Sequence, residues 1–192
     1  MQRKCWRFWK MSSRTSDTHP LKIAEIELDD CKIGLSLCPG KIQFGAMSGN
    51  WERELGKDLM KIKESGYDVV VSLIEAEELE ELQVEGLKDG LVEEFEMIWH
   101  WAPIADFSTP DQSVNIKLNE ILIFIEEGKS VFVHCKGGLG RAGLVSAWLL
   151  THFGRTSFEA IREVREARSP SAIETKAQEN WVHQNSAVRF DC

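Results

Sequence analysis

One stretch of the chain, Val131–Gly143, constrains the fold more than any other. It begins as an apolar strand that ends in His134 and Cys135, continues through a glycine-rich loop, and enters an apolar helix near Arg141. Glycine tolerates positive φ and close approach, so the loop amides can all point inward. The positive end of the helix would face the same point. The stretch therefore predicts an anion cradle at the carboxyl edge of an α/β sheet.

The same loop predicts a reactive thiol. Helix N-termini and nearby cations favour the thiolate form of cysteine, so we expect Cys135 to act as a nucleophile toward a bound phosphoryl group. Arg141 would hold two of the phosphoryl oxygens in a bidentate grip. This chemistry needs no metal ion, and we expect no cofactor. The simpler alternative is a buried structural cysteine, which would need neither the glycines after it nor a helix that starts at an arginine.

The loop resembles the signature of the cysteine-dependent protein tyrosine phosphatases, and more narrowly that of their small dual-specificity branch. Pro103–Asp106 is similar to the general-acid loop of this family, and Ser171–Trp181 is similar to its C-terminal helix signature. Leu37–Gly40, taken together with the loop, looks closest to the subgroup of cyclin-dependent-kinase-associated phosphatases. The resemblance extends over residues 30–188.

This resemblance implies a role for each residue of the site. Cys135 would attack phosphorus and form a phosphocysteine, while His134 would support the loop and the thiolate from behind. Asp106 would protonate the leaving oxygen and then help to activate water. Gln178 could order that water, or it could be a plain packing or surface residue. The phosphate would be bound by Lys136, Gly137, Gly138, Leu139, Gly140 and Arg141.

The position of Asp106 suits a general acid because it lies on a separate element. It follows a strand-like apolar run and a proline, and it precedes a turn-rich segment that could move over the loop. The alternative is that Asp106 only caps or turns a loop. Asp111 is the competing carboxylate, but Thr109–Asp111 is more typical of a helix start. We therefore predict Asp106 as the acid.

The residue after the arginine departs from the family pattern. Most members carry serine or threonine there, and its hydroxyl assists breakdown of the phosphocysteine, whereas this chain has Ala142. The phosphatases of regenerating liver also carry alanine at this position, and this similarity implies that breakdown of the phosphocysteine is slow. We therefore expect slow turnover with an unchanged type of reaction.

The composition agrees with a single intracellular domain. The chain has 192 residues, 43% of them hydrophobic, and a net charge of -8 that argues against general nucleic-acid binding. It has no apolar run of about 18 residues, so we expect no membrane span. The cysteines show no paired spacing, which favours a reducing compartment, and we expect a cytoplasmic monomer. Cys31 or Cys38 could form a protective disulfide with an oxidised Cys135, although a plain buried thiol is the simpler interpretation of each.

The first 20 residues differ from the rest, because basic residues there alternate with Trp6, Phe8 and Trp9 and no acid precedes Asp17. Such a segment could dock on a membrane surface or on a peptide. The simpler interpretation, which we prefer, is a flexible lead over residues 1–20. The catalytic domain would then span residues 21–192.

Beyond this lead, strand-like and helix-like segments alternate. The alternation predicts one α/β domain with a mostly parallel sheet of four to five strands and helices on both faces. An amphipathic helix is predicted over Asn50–Ser65. The acidic segment Glu75–Glu96 is predicted to form one or two surface helices with a solvated face rather than a docking patch. We expect a shallow pocket without an aromatic wall, since no large insertion is available to build a deep one.

Three functions are compatible with these residues. The first is a dual-specificity phosphatase that acts on phosphotyrosine, phosphoserine and phosphothreonine of a phosphoprotein, with a kinase as a candidate partner. The second is a phosphatase of the same fold that acts on a phosphoinositide or phosphoglycan. It ranks lower because Lys136 is the one cation between Cys135 and Arg141. The third is a phosphate-binding module with low turnover, which Ala142 alone favours.

Overall fold

The computed structural model describes residues 13–187. Its strands are β1 (Ala24–Glu27), β2 (Lys32–Leu37), β3 (Ile42–Ala46), β4 (Gly49–Glu52), β5 (Val69–Ser72), β6 (Ile98–Trp101) and β7 (Val131–Cys135). Five of them form one sheet in the order β1-β2-β7-β5-β6, and β3 pairs with β4 in a separate hairpin. Within the large sheet the β1–β2 pair is antiparallel and the other pairs are parallel. The predicted mostly parallel sheet is confirmed.

Helices cover both faces of this sheet, as predicted. They are α1 (Leu55–Glu64), α2 (Ala76–Glu81), α3 (Leu87–Asp89), α4 (Gln112–Glu126), α5 (Gly140–His152), α6 (Ser157–Ala167) and α7 (Lys176–Gln184). Phe132 of β7 packs with the helices α1 to α3 on one face, whereas its neighbours Val131 and Val133 pack with α4 to α7 on the other. Alternate side chains of a strand point to opposite faces, so a sheet that is buried on both sides needs continuous apolar strands.

The predicted helix over Asn50–Ser65 begins too early. Its first residues belong to β4, in which Trp51 lies opposite Gln43, and α1 begins at Leu55. The spacing of Trp51 from the later leucines fits a helix, but the pairing with β3 prevails. Aromatic side chains are favourable in strands, so local propensity does not oppose this outcome.

The end of the predicted flexible lead is part of the folded domain. Arg14 exchanges two backbone hydrogen bonds with the edge of β4, of 2.8 and 3.1 Å. Ser16 is buried and donates its hydroxyl to the carboxylate of Asp58 over 3.0 Å. The prediction of a flexible lead is therefore corrected for residues 13–20, because composition cannot reveal such long-range contacts. Residues 1–12 lie outside the described part of the chain.

The acidic segment forms α2, α3 and a π-helical turn over Gly90–Glu94. Most of its carboxylates are exposed, in agreement with the predicted solvated face, but Glu78 of α2 is buried. None of the helices within residues 13–187 combines the length and apolar character needed to cross a membrane.

Candidate active site

The glycine-rich loop follows β7 and leads into α5. Cys135 ends the strand with 3% of its surface exposed, and the Gly138 N–H donates to its Sγ over 3.2 Å. Gly138 has a φ of 69°, and a Cβ at this position would lie 2.2 Å from the carbonyl carbon of Ser36. Glycine is required here because both the backbone conformation and the available space exclude a side chain.

Two cations from outside the loop hold its carbonyl groups. Lys41 Nζ donates to the Lys136 carbonyl over 3.2 Å. Arg168 donates Nε to the Gly138 carbonyl over 2.9 Å and Nη2 to the Gly137 carbonyl over 3.4 Å. The carbonyl and N–H of one peptide unit point in opposite directions, so these contacts turn the following N–H groups toward the inside of the loop. The result is the kind of concave amide cluster that binds anions.

Arg141 is buried, with 1% of its surface exposed. Its Nη1 and Nη2 donate to the two carboxylate oxygens of Glu78 over 2.5 and 2.9 Å, and Nη1 also donates to the Ile104 carbonyl over 2.9 Å. Burial opposes the guanidinium charge, but the hydrogen bonds to Glu78 together with the nearby negative charges of Cys135, Glu78 and Asp106 raise the pKa of Arg141. Its Nε is buried without a hydrogen-bond partner among the described residues, so this donor is available to a ligand.

Asp106 comes close to the loop, as a general acid would require. Its Oδ1 lies 3.0 Å from Arg141 Nη2, while 45% of the Asp106 side chain is exposed. An arriving phosphoryl group would therefore compete with Asp106 for the arginine. The competing candidate, Asp111, caps α4 by accepting the Val114 N–H over 2.9 Å, as the sequence predicts.

His134 lies behind Cys135 and is fully buried. Its Nε2 lies 2.6 Å from the Ser72 hydroxyl oxygen, which also accepts the indole N–H of Trp99 over 2.8 Å. Burial lowers the pKa of His134 to about 3, so the imidazole is neutral at physiological pH. His134 can therefore support the loop by packing and hydrogen bonding, but it brings no positive charge to the thiol.

Gln178 is completely buried, which excludes the surface alternative. Its Oε1 accepts the Thr175 N–H over 3.3 Å, and its Nε2 donates to the Ser108 carbonyl over 3.2 Å. A Cβ added at Gly140 would meet both amide atoms at 3.2 Å. Gln178 thus links α7 to the segment that carries Asp106, next to the start of α5. Its role in ordering water stays a prediction.

The two cysteines that were candidates for a disulfide lie at opposite ends of β2. Leu37 pairs with Cys135 in the β2–β7 register, so Cys38 follows at the edge of the sheet that carries the loop. Burial raises the pKa of the Cys38 thiol. Cys31 precedes β2, and its Sγ lies 4.0 Å from the Ile125 carbonyl. A disulfide with Cys135 stays a prediction for Cys38, whereas this position of Cys31 argues against it.

The loop opens into a cleft of about 590 Å³. The β3–β4 hairpin lines one part of it with Trp51, and the segment that carries Asp106 lines another with Phe107, which is 58% exposed. Aromatic side chains therefore line the cleft, contrary to the expectation from the sequence. The sequence pattern predicts a helix at Trp51, whereas its pairing in the β3–β4 hairpin brings the ring to this edge.

Three residues of the site lie outside the sequence motifs, namely Glu78, Lys41 and Arg168. Glu78 is one carboxylate in a long acidic segment, and its spacing from Glu75 indicates only a capping box, which the structure contains. Lys41 and Arg168 resemble ordinary surface cations in the sequence. Their contacts with the loop depend on distant segments, so no local pattern could have identified them.

Similarity in structure and sequence to known proteins indicates the class of protein to which this chain belongs. A crystal structure of kinase associated phosphatase (KAP), with its catalytic-site cysteine replaced by serine, has a TM-score of 0.75 and 29% identity. The match covers 88% of this chain and 98% of that one. Mouse dual specificity protein phosphatase CDC14B is 37% identical over 83 residues, which are 42% of this chain and 16% of that protein. Together with the fold and the loop, these similarities define a cysteine-dependent dual-specificity phosphatase.

The family is defined more narrowly by the sequence. Residues 14–160 match the family model described as cyclin-dependent kinase inhibitor 3 (CDKN3). The rat and human proteins named cyclin-dependent kinase inhibitor 3 are each 31% identical over 170 residues, which are 86% of this chain and 78% of each relative. The chain therefore belongs to the cyclin-dependent kinase inhibitor 3 family. The resemblance inferred from the sequence motifs is confirmed.

Proposed function

We propose that Cys135, Arg141 and Asp106 carry the phosphatase reaction of this chain, through a phosphocysteine intermediate and without a metal ion. Their convergence supports this assignment most strongly. The Cys135 thiol and the Arg141 Nε, which has no hydrogen-bond partner within residues 13–187, are both buried at the loop. Asp106 lies 3.0 Å from the same guanidinium. The amides of residues 136–141 would bind the remaining phosphoryl charge.

In the first step, the Cys135 thiolate attacks phosphorus while the bond from phosphorus to the leaving oxygen breaks. The loop amides and Arg141 stabilise the charge on the equatorial oxygens of the transition state. The phosphoryl group takes over the Arg141 contact from Asp106, which turns to the leaving oxygen. Asp106, in its protonated form, then gives its proton to that oxygen, so the product leaves as an alcohol or phenol.

In the second step, a water molecule attacks the phosphocysteine and gives its proton to the Asp106 carboxylate. The bond between sulfur and phosphorus breaks, the thiolate returns and inorganic phosphate leaves. We assign Gln178 to ordering this water, because its amide contacts the segment that carries Asp106. Neutral His134, which is hydrogen-bonded to Ser72, holds the end of β7 and therefore Cys135 in position. Ala142 offers no hydroxyl to the departing sulfur, so this step should be the slow one.

The substrate that we propose is a phosphoprotein that carries phosphotyrosine, phosphoserine or phosphothreonine, and a kinase is the candidate partner. The names of the cyclin-dependent kinase inhibitor 3 relatives and of kinase associated phosphatase support this choice. We also propose a cytoplasmic monomer, on the grounds of cysteine usage and domain size given above.

The assignment of residues is tested by hydrolysis of aryl phosphates in the presence of EDTA. EDTA should leave the activity of the wild type intact, and Cys135→Ser should abolish this activity. Asp106→Asn should lower kcat/KM, which reports the first step, by about 100-fold on phenyl phosphate, and by less on para-nitrophenyl phosphate, whose leaving oxygen needs a proton less. Asp111→Asn is the matched control, because asparagine also caps a helix. Activity in Cys135→Ser, or equal losses in the two aspartate variants, would contradict the assignment.

A further inference from the structure

The cleft beside the loop is rich in cations, although the chain has a net charge of -8. The cations that line it are Arg14, Lys22, Lys41, Arg53, Lys136 and Arg168, and the carboxylates are Asp106 and Glu174. Four of these cations are already engaged, two with carboxylates and two with loop carbonyls. Arg14 and Lys22 form no ion pair with any residue in the range 13–187, so their charge is available to a ligand.

Arg14 is held in place by its backbone and by Trp51. Its backbone hydrogen bonds add it to the edge of β4, and its guanidinium carbon lies 5.2 Å from the centre of the Trp51 ring. That ring is itself fixed, because its indole N–H donates to the Ser48 hydroxyl over 2.8 Å. The guanidinium is therefore held against the β3–β4 hairpin by the backbone of Arg14 and by Trp51.

Lys22 lies close to the base of the loop. Its carbonyl accepts the Ser36 hydroxyl over 2.7 Å, and Ser36 is the residue against which Gly138 packs. The Lys22 side chain is exposed and lines the same cleft as Cys135. Lys41 adds a third charge between the hairpin and the loop, since burial lowers its pKa to about 8 and it stays mostly protonated at neutral pH.

We propose that Arg14 and Lys22 form a second anion subsite beside the phosphate loop. It would bind an acidic or second phosphorylated side chain of the protein substrate. This inference rests on the proposed function, because the loop must hold the phosphoryl group that is removed. The guanidinium can grip a carboxylate or phosphate through two hydrogen bonds, and the ammonium adds a point charge.

The charges in the cleft favour a protein substrate with acidic residues near the phosphorylated one. Within the loop, Arg141 contacts the phosphoryl group that is removed, and Glu78 largely balances its charge. A second anion therefore needs other cations. Arg14 and Lys22, which form no ion pair within residues 13–187, line the cleft through which a neighbouring side chain of the substrate would pass. A membrane of anionic lipids is a less favourable source of the second anion, because the net charge of -8 would repel its surface.

The test compares two phosphotyrosine peptides that differ only in the residues on either side, glutamate in one and glutamine in the other. At low ionic strength, wild-type kcat/KM should be about tenfold higher for the acidic peptide, since each exposed ion pair contributes a few-fold. Arg14→Gln and Lys22→Gln should each lower this ratio about threefold, and the double variant should bring it close to one. Taking the ratio cancels any change in the chemical step.

Lys63→Gln is the matched control, because Lys63 is an exposed lysine of α1 that does not line the cleft. It removes the same charge from the chain and should keep the wild-type ratio. High salt should lower the ratio of the wild type but not that of the double variant, since exposed pairs are screened. A wild-type ratio near one, or the same ratio in wild type and double variant, overturns the subsite.

Two further readouts separate the possible failures. If Cys135→Ser abolishes hydrolysis of both peptides while the wild-type ratio is one, the proposed function stands and the subsite fails. A soluble inositol bisphosphate tests the other source of a second anion. Slower hydrolysis of this compound than of the acidic peptide supports the proposal. Faster hydrolysis that depends on Arg14 and Lys22 overturns the assignment to a protein substrate.

Discussion

Ala142 is the residue from which we expect the clearest kinetic signature. It is buried in the first turn of α5, directly after Arg141, and it offers no hydroxyl to the sulfur that leaves phosphorus. A hydrogen bond to a charged group contributes about 1.5–3 kcal/mol, so its absence should slow the second step. We predict that the phosphoenzyme accumulates and that Ala142→Ser raises the steady-state rate about tenfold. Rapid-mixing kinetics with para-nitrophenyl phosphate should show a burst in the wild type.

Ala147→Ser is the control for burying a hydroxyl in α5, since Ala147 is also fully buried there but is not adjacent to Arg141. It should not raise the rate. If the wild type shows no burst and Ala142→Ser changes nothing, the explanation of slow turnover is wrong. A rate that stays negligible in both would favour the phosphate-binding module with low turnover.

His134 should make the folded state sensitive to acid. Burial lowers its pKa from an ordinary 6.5 to about 3. The unfolded chain therefore binds a proton that the folded chain does not, and stability falls as the pH drops from 6.5 toward 3. This group alone should give a slope of about 1.4 kcal/mol per pH unit. Urea unfolding between pH 6.5 and pH 5 measures it, before most carboxylates titrate.

His134→Asn should remove this part of the slope, whereas His19→Asn, at an exposed histidine, should keep the slope of the wild type. Burial also lowers the pKa of His100, so a smaller slope should persist in the His134 variant. An unchanged slope in His134→Asn would show that this imidazole is not held neutral by the fold.

The residues that the sequence identified are those whose chemistry is local. Cys135 and Arg141 belong to one loop, so their spacing and residue types single them out, whereas Asp106 is indicated by its placement after a strand and a proline together with the family resemblance. The sequence indicates Gln178 as a candidate but does not reveal that it is buried, because its contact with Ser108 joins segments far apart in the chain. Glu78 was missed because nothing in an acidic segment marks the one carboxylate that turns inward.

At the level of elements, α2 contributes more to the site than a solvated acidic helix would. Its Glu78 accepts hydrogen bonds from Arg141 with both carboxylate oxygens. Burial raises the pKa of Glu78, but these bonds, the Glu75 N–H and the cations nearby together lower it. We predict that Glu78→Gln lowers kcat/KM about 100-fold, because the guanidinium loses its bidentate partner and its orientation. Loss of one partner of a buried ion pair should also destabilise the fold by about 3–5 kcal/mol.

Glu77→Gln is the matched control, since Glu77 is the neighbouring carboxylate of the same helix and is exposed. It should keep both activity and stability. Hydrolysis of para-nitrophenyl phosphate and urea unfolding measure the two effects separately. Wild-type kcat/KM in a folded Glu78→Gln variant would mean that the loop amides alone position the phosphoryl group.

The elements themselves were predicted with uneven success for a physical reason. The strands β5 and β7 and the helix α5 are almost wholly apolar, so burial alone specifies them. The β3–β4 hairpin has no such pattern. Its pairing, with Trp51 opposite Gln43, competes locally with a helical spacing of apolar residues. Tertiary contacts favour the hairpin over the helix, and the hairpin in turn positions Arg14 beside the cleft.

On the scale of the whole molecule, one buried network joins the N-terminal segment to the elements beside the loop. Asp58 of α1 accepts two hydrogen bonds from Arg53, of 2.6 and 2.8 Å. It also accepts the Ser16 hydroxyl over 3.0 Å and the Gly40 N–H over 2.8 Å. Arg53 in turn donates to the His19 carbonyl over 2.7 Å. The network connects four parts of the chain that share no sequence motif.

This network should control both stability and the charge of the cleft. Asp58→Asn would leave Arg53 buried without a counter-charge, so we predict a loss of about 3–5 kcal/mol in the free energy of unfolding. Because the Ser16 hydroxyl exchanges a charged acceptor for a neutral amide, Arg14 should be held less firmly, and the preference for acidic phosphopeptides should fall. Asp17→Asn, at an exposed carboxylate in the same segment, should change neither quantity. A destabilised Asp58 variant that keeps the full preference would show that β4 alone positions Arg14.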